Sequence, residues 1–278
     1  MPAANPTRNA TLARAFGGRW ALVTGASAGL GEQIALDLAA AGAHVVLTAR
    51  RADRLNDLAE RIRATYFVQT LVVPADLSLP EAPRELYDAT EGAGIPIDIL
   101  INNAGFGYLG QFHRGSPEWD RRMVTVNCAA VVHLTHLFLP RMIERRRGHI
   151  MMLASAAAFQ PIPYMSTYAA TKVFDRFLGE ALDAEVRQYG IRVSSLCPGP
   201  TESEFGQVAG LNSSAFRRAV PAEPVVRRGL LDLANGRPIS YPPGSGAFFI
   251  FLERFLPRTL VTRLLERGLR RAIPARNA

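Results

Sequence analysis

The stretch Trp20-Ala21-Leu22-Val23-Thr24-Gly25-Ala26-Ser27-Ala28-Gly29-Leu30-Gly31 decides the fold. Its first five residues make a short apolar run suited to a buried strand. From Leu30 to Ala41 the apolar residues recur at helical spacing. Between strand and helix stand three glycines, each with a physical reason. Gly25 permits a tight turn, Gly29 lets the backbone approach an anion, and Gly31 removes a Cβ where helix meets sheet. The free N–H groups at the helix start, around Ser27 and Leu30, then suit a pyrophosphate. A lone glycine triplet is weak evidence, but one set between a strand and a helix is strong.

The alternation continues outward. His44–Thr48, Thr70–Pro74, Ile97–Asn102, His149–Ser155, Ile191–Cys197 and a short piece at Pro238–Tyr241 read as strands. Leu55–Ala64, Pro80–Thr90, Trp119–Arg146, Ser166–Gln188 and Glu223–Asn235 read as helices, with Pro140 expected to kink the longest. Short strands separated by helical stretches of ten or more residues imply right-handed βαβ units, hence an α/β fold with a parallel sheet. Residues 19–245 read as one domain, with a weakly periodic segment at 200–222 suited to a substrate lid. Residues 1–18 read as a loose, polar extension. Residues 246–278 read as a basic amphipathic helical extension.

Composition narrows the function classes. With 48% hydrophobic residues the 278-residue chain can bury a sizeable core, which excludes disorder. The formal net charge of +8 lies at the two ends, because residues 20–250 balance 22 basic against 22 acidic side chains. A nucleic-acid enzyme needs a basic stripe beside its chemistry, so no nucleic-acid partner is expected. Cys128 and Cys197 make no disulfide framework, and no Cys/His cluster has metal-ligand spacing, so no metal is expected. A reduced, cytoplasmic setting fits. No uncharged apolar run reaches 18 residues and no secretory signal is apparent, so no conventional membrane span is expected.

The second strand sorts the cofactor. A site for NAD places an acid at its end for the ribose 2′-hydroxyl, but here stand Thr48-Ala49-Arg50-Arg51. An arginine fork suits a 2′-phosphate, so NADP(H) is expected, with Arg50 the leading contact and Arg51 the second. If both arginines are merely solvated, NAD(H) is the alternative. Asp76, followed by Leu77, is placed either to accept from the adenine amino group or to cap the helix near Pro80.

Ser155, Tyr168 and Lys172 carry the chemistry. Tyr168 and Lys172 are four apart in a helix and share a face. An ammonium beside a phenol favours the phenolate, which permits proton transfer near neutrality. Ser155 ends a strand and can hold a substrate oxygen. Lys172 is the only lysine among 32 basic residues, where a guanidinium would not reproduce a compact charge with three rotatable donors.

With these residues in place, the chain resembles the classical short-chain dehydrogenase/reductase family. The motifs are Thr24–Gly31, Asp76, Asn102-Asn103-Ala104-Gly105, Asn127, Ser155, Tyr168-x-x-x-Lys172 and Pro198-Gly199, in family order over about residues 18 to 240. The resemblance implies a Rossmann-like three-layer sandwich with a seven-stranded sheet. It implies Tyr168 as general acid or base, Ser155 holding the carbonyl, and Lys172 binding the nicotinamide ribose. Asn127 would hold a relay water in a kinked stretch of helix, and Asn102, Asn103, Ala104 and Gly105 would pack by the adenosine side and steady the central sheet. Hydride would pass at the pro-S face of the nicotinamide, and a homodimer or homotetramer is implied. Two departures stand out. Ser203 replaces the threonine that binds the carboxamide, with Thr201 a nearby alternative. Ala28 stands where many NADP(H) members carry a basic residue, which leaves the phosphate to Arg50.

The nearly uncharged segment from Ala156 through Phe159, Pro161, Ile162, Pro163, Tyr164 and Met165 and, from the lid, Phe205, Val208, Leu211 and Phe216 are expected to line an apolar pocket for a small hydrophobic carbonyl or alcohol. Arg217 and Arg218 follow. In the tail, Pro257 starts a helix with Leu260, Val261, Leu264, Leu265 and Leu269 on one face and arginines around the rest. That pattern suits peripheral membrane contact, and equally a helix covering the cleft or packing on a partner. The tail and Phe159-Gln160-Pro161 also resemble a subgroup labelled DltE-like. Two function classes follow: an oxidoreductase, or a silent nucleotide-binding scaffold. The intact Ser155, Tyr168 and Lys172 favour the oxidoreductase.

Overall fold

Apolar strands that are buried on both faces need a helical layer on each side, and the chain supplies both. A computed structural model describes residues 6–209, 219–253 and 255–270. Strands β1 (Trp20–Thr24), β2 (His44–Thr48), β3 (Thr70–Val72), β4 (Ile97–Asn102), β5 (Gly148–Leu153), β6 (Ile191–Leu196) and β7 (Ile239–Ser240) form one sheet. The sheet has 7 strands in the order β3-β2-β1-β4-β5-β6-β7, with every pairing parallel. The helices are α1 (Pro6–Phe16), α2 (Gly29–Ala40), α3 (Ala52–Tyr66), α4 (Ala82–Asp88), α5 (Pro117–Val124), α6 (Ala130–Glu144) and α7 (Ser166–Val186). They continue as α8 (Phe205–Val208), α9 (Ala222–Ala234), α10 (Ala247–Glu253) and α11 (Arg258–Arg270).

The period-2 pleat divides the core. Ala21, Val23, Val45, Leu47, Ile99 and Ile101 face one layer, where Ile34 and Leu38 of α2, Leu55 and Ile62 of α3, and Leu230 of α9 complete the packing. Leu22, Val46, Leu100, Ile150 and Val193 face the other, against Leu86 of α4 and Leu134, Phe138 and Met142 of α6. Each fully buried Leu or Ile contributes about 1.5–3 kcal/mol. The sheet order reverses direction between β1 and β4. That switch point opens a crevice at the carboxyl ends of the strands, where an open α/β sheet binds its ligands.

Three expectations need correction or refinement. The N-terminal stretch read as loose contains α1, whose Leu12 and Phe16 are buried and whose Phe16 ring meets His149 edge-on at 5.2 Å. Its polar composition hid two apolar residues at i and i+4. The irregularity in the long helical region is a π-helical turn at Thr125–Ala129, while Pro140 lies inside α6. Finally, Pro117–Glu144 is long and apolar enough, by length and composition, to cross a membrane. Its apolar face is spent on the sheet, with Leu134, Phe138 and Met142 nearly fully buried.

Asp37 of α2 offers a test of the packing. Burial pushes its carboxyl up to about 6, against the hydrogen bond from Gln33 at 2.7 Å, with Glu223 adding to the rise and Arg227 opposing it. A carboxyl raised above its unfolded value of about 3.9 favours the fold while protonated, and that contribution is lost as pH rises through 6. Asp37→Asn should therefore stabilise the protein by roughly 1–3 kcal/mol at pH 7.5 and leave it unchanged at pH 4. Urea denaturation at the two pH values checks this, and a destabilised variant at pH 7.5 contradicts it.

Candidate active site

The crevice is built on Thr24. Its hydroxyl donates to the Ile101 carbonyl at 3.0 Å and accepts from the Asn103 and Ala104 amides, both at 2.9 Å. Asn103 Nδ2 donates to the Thr24 carbonyl at 2.7 Å, which ties the end of β1 to the end of β4. The glycines then bring backbone against backbone. Gly25 has φ +67°, and a Cβ on Gly31 would stand 2.2 Å from the Gly25 carbonyl oxygen. No other residue type fits at Gly31. A Cβ on Gly29 would meet Ser203 Cβ at 2.9 Å, so the turn is covered by the segment after β6.

At one end of the crevice lie the arginines. Arg51 donates to Ser27 Oγ at 3.0 and 3.2 Å and to Glu204 at 2.9 Å, while Arg54 donates to the other Glu204 oxygen at 2.5 Å. Arg54 and Arg51 hold the Glu204 carboxyl below its ordinary value. Arg50 is exposed, beside Ala49, and has no hydrogen-bond or ion-pair partner among the described residues. Asp76 accepts from the Ser78 amide and hydroxyl at 3.0 and 2.8 Å and pairs with Arg122 at 2.8 Å. Burial opposes its ionisation, but the Ser78 donors with Arg122 and Arg50 hold its carboxyl below the usual range. Asp76 thus closes a local turn and still faces the crevice. Nothing in the sequence signalled Arg122, which reaches Asp76 across 46 residues.

At the other end is the chemistry. Ser155 follows β5 and accepts from the Ala157 amide at 3.1 Å, and its hydroxyl favours the ionised form of the Tyr168 phenol. Tyr168 and Lys172 share a face of α7, with the Lys172 ammonium 5.9 Å from the phenol ring centre. Lys172 Nζ donates to the Leu153 carbonyl at 2.6 Å and to Asp175 at 2.9 Å. Asp175 was not anticipated. It lies one turn beyond Lys172 and is almost wholly buried, and its second oxygen has no protein partner. Burial drives the Tyr168 phenol above its ordinary value, Lys172 and Ser155 pull it back, and Asp175 adds to the rise. The expected net lowering is therefore corrected. The lysine does lower the phenol pKa, but in the free chain burial outweighs it. For Lys172 burial works against the charge, and Asp175 and Tyr168 overcome it, so the ammonium is held firmly protonated.

Asn127 stands behind these groups, fully buried in the π-helical turn. Its amide accepts from the Phe106 N–H at 3.2 Å and donates to the Phe106 carbonyl and to Thr171 Oγ1, both at 3.0 Å. The side chain is spent on fixing the loop after β4 to α7. Pro198 accepts from the Ala156 amide at 2.8 Å, and a Cβ on Gly199 would stand 1.9 Å from the Gly244 carbonyl oxygen. Thr201 donates to the Gly199 carbonyl at 3.0 Å, and Ser203 to the Thr201 carbonyl at 3.2 Å.

One cavity of about 630 Å³ joins the two ends. Every residue expected at the nucleotide site lines it, from Gly25 and Arg50 through Leu77 and Gly105 to Ser203, as do Ser155, Tyr168 and Lys172. The glycine cradle, too close for side chains, and the exposed Arg50 fit a phosphorylated dinucleotide. The apolar end differs from expectation. Phe205 lines the cavity and packs on Tyr168 with ring centres 5.1 Å apart. Phe159 and Pro161 do not line it. Phe159 packs on Tyr241 and under the Arg176 guanidinium, and Pro161 is exposed. Tyr164 turns away too, with φ +64° and its hydroxyl donating to Glu266 of α11 at 2.5 Å. Ile162 and Met165 of the same segment do line it, joined by Phe106 and Trp119, which were not anticipated. Alternation along a loop cannot be read as it can along a strand, so sequence chose the segment but not its inward side chains. Leu211, Phe216, Arg217 and Arg218 lie outside the described residues, as does the side chain of Val208. No group of His, Cys, Asp or Glu among the described residues has the arrangement of a metal site.

Known proteins are similar to this chain in sequence and in fold. The chain is 36% identical over 197 residues to the very-long-chain 3-oxoacyl-CoA reductase-B of Danio rerio, covering 68% of this chain and 62% of that protein. It is 35% identical over 187 residues to the human very-long-chain 3-oxoacyl-CoA reductase, covering 65% and 59%. The chain thus spans about three fifths of the length of these relatives. Among solved structures, a short-chain dehydrogenase from Sphingobium yanoikuyae in complex with NADPH superposes with a TM-score of 0.78 at 30% identity, over 94% of this chain and 98% of that one. A 7beta-hydroxysteroid dehydrogenase superposes with a TM-score of 0.82 at 25% identity, over 91% and 98%. The short chain dehydrogenase family profile matches residues 19–212, and with the glycine cradle and the Ser155, Tyr168 and Lys172 cluster already in place, the chain belongs to that family.

Proposed function

We propose that this chain is an NADP(H)-dependent oxidoreductase that interconverts a hydrophobic ketone or aldehyde and its alcohol. The observation that carries the reading is the single cavity with Arg50 at one end and the Ser155–Tyr168–Lys172 cluster at the other. Bound there, the nicotinamide cofactor supplies or accepts the hydride. The chain's own residues do the rest. In the reductive direction Ser155 and Tyr168 donate hydrogen bonds to the carbonyl oxygen, and Tyr168 passes its proton as the oxygen becomes anionic. The Lys172 ammonium stabilises the phenolate that remains, and its donor capacity beyond Leu153 and Asp175 is available to the ribose hydroxyls. Asn127 keeps the Phe106 loop and α7 in register beneath this site. Phe106, Trp119, Ile162, Met165 and Phe205 exclude water and favour an apolar substrate. The names of the relatives agree with a long or bulky ketone, of which a 3-oxoacyl thioester is one class.

NADP(H) is favoured over NAD(H) because Arg50 is uncommitted, whereas Glu204 and Ser27 already engage Arg51. The same reading includes a cytoplasmic enzyme and a homodimer or homotetramer through the helices that hold Asn127 and Tyr168. Phe174 and Phe177 of α7 are exposed there. Membership in the DltE-like subgroup rests on Phe159-Gln160-Pro161 and the basic tail.

Three outcomes test the reading. Tyr168→Phe should lower kcat at least 100-fold with NADPH affinity retained. Unchanged turnover of a hydrophobic ketone would remove Tyr168 from the mechanism. Arg50→Ala should weaken NADPH about tenfold or more by calorimetry while sparing NADH, and equal losses for both would return Arg50 to the surface. Asp175→Asn removes the charge that raises the Tyr168 phenol, so the alkaline limb of kcat/KM for reduction should move to lower pH. A limb that stays in place would show that Asp175 does not act on the phenol.

A further inference from the structure

Seven of the fifteen exposed large apolar side chains among the described residues fall within residues 248–264. Phe251 (58% exposed) and Phe255 (71%) stack edge-on at 5.5 Å, beside Leu252 and Leu256. Leu260 (46%) and Leu264 (56%) continue the exposed set along α11. This helix is held to the body by a different edge. Val261 is buried, Leu265 and Leu269 are half-buried, and Glu266 accepts from Tyr164 at 2.5 Å and from Arg270 at 2.7 Å. Helical spacing places Leu260 and Leu264 between that anchored edge and Arg263 and Arg267. Arg258, Arg263 and Arg267 are exposed and have no ion-pair partner among the described residues. Residues 251–278 carry seven arginines against two glutamates, on a chain whose middle is neutral.

An exposed apolar strip flanked by unpaired arginines asks for a partner that is both apolar and anionic. A second copy meets this badly, because pairing the strip with itself sets the arginines of one copy against those of the other. A bilayer with anionic headgroups meets both demands at one depth. The leucine and phenylalanine side chains enter the headgroup boundary, while the guanidinium groups stay at the phosphates. We propose that the exposed apolar side chains from Phe251 to Leu264, with Arg258, Arg263 and Arg267, form a docking surface for an anionic phospholipid membrane. The position of the surface adds a consequence. Tyr164, held by Glu266, sits between Ile162 and Met165 of the cavity lining, so the docked face borders the apolar end of the cavity. A carbonyl substrate that partitions into lipid would reach the site from that side. This last clause rests on the function proposed above, and the docking itself does not.

The test is cosedimentation of the full chain with vesicles of phosphatidylcholine alone or mixed with phosphatidylglycerol, at low and high salt. Binding should rise at least tenfold with the anionic lipid and fall at 0.5 M salt. Leu260→Asp with Leu264→Asp should lose that binding at least tenfold, with Tm and NADPH affinity unchanged because both side chains are exposed. Should that variant fail to fold, Arg263→Gln with Arg267→Gln gives a second arm, in which the dependence on anionic lipid disappears. Equal, weak sedimentation with all vesicles overturns the proposal. So does self-association of the wild type that the leucine variant abolishes while vesicles remain unbound, which assigns the strip to a second copy. Failure to bind NADPH would sink the proposed function and leave the docking result standing.

Discussion

A single ammonium, nearly wholly buried, organises the chemical end of this protein. Lys172 sits between the Leu153 carbonyl, the Asp175 carboxylate and the Tyr168 ring. An isolated charge at that depth would cost several kcal/mol, so the surroundings must satisfy it. Leu153 ends β5, Asp175 lies one turn on in α7, and Tyr168 one turn back. Meeting those contacts fixes the relative position of strand and helix, and Ser155 is fixed with them. The chain uses arginine for every other basic residue. A guanidinium is larger and planar and would not fit among these three partners with a donor to spare.

The nucleotide end depends on a different constraint, the closeness of backbone to backbone. Thr24, Asn103 and the Gly25 carbonyl lock the ends of β1 and β4 together, and Gly31 can be nothing but glycine against them. This rigidity leaves the helix N-terminus open toward the crevice, where an anion is stabilised by unpaired N–H groups. Arg50 then adds a charge outside the cradle, while Arg51 spans from Ser27 to Glu204. Rigid support and an uncommitted cation sit side by side.

Most of the architecture was legible because it rests on local patterns. The strands at β1, β2, β4, β5 and β6 are apolar runs of the right length, and the glycine turn stands directly after the first. Tyr168 and Lys172 were legible because four residues in a helix is a geometric statement. What escaped depends on tertiary context. Helix α1 was hidden by a polar composition, since its stability comes from Leu12 and Phe16 packing on the body. Asp175 carries no signal of its own in the sequence, and only its burial against Lys172 marks it. The inward side of residues 159–165 is set by a left-handed backbone at Tyr164 and by its bond to Glu266, a hundred residues away in α11. The sign of the Tyr168 shift turned on burial, which no spacing reveals.

The central claim is that the cradle and Arg50 together select a phosphorylated nicotinamide dinucleotide. Calorimetric titration of the full chain with NADPH and NADH side by side tests it most directly. The account predicts NADPH binding at least tenfold tighter than NADH, in keeping with charge-assisted contacts to one extra phosphate. Binding of neither cofactor would contradict it outright, and equal binding of both would remove Arg50 from recognition.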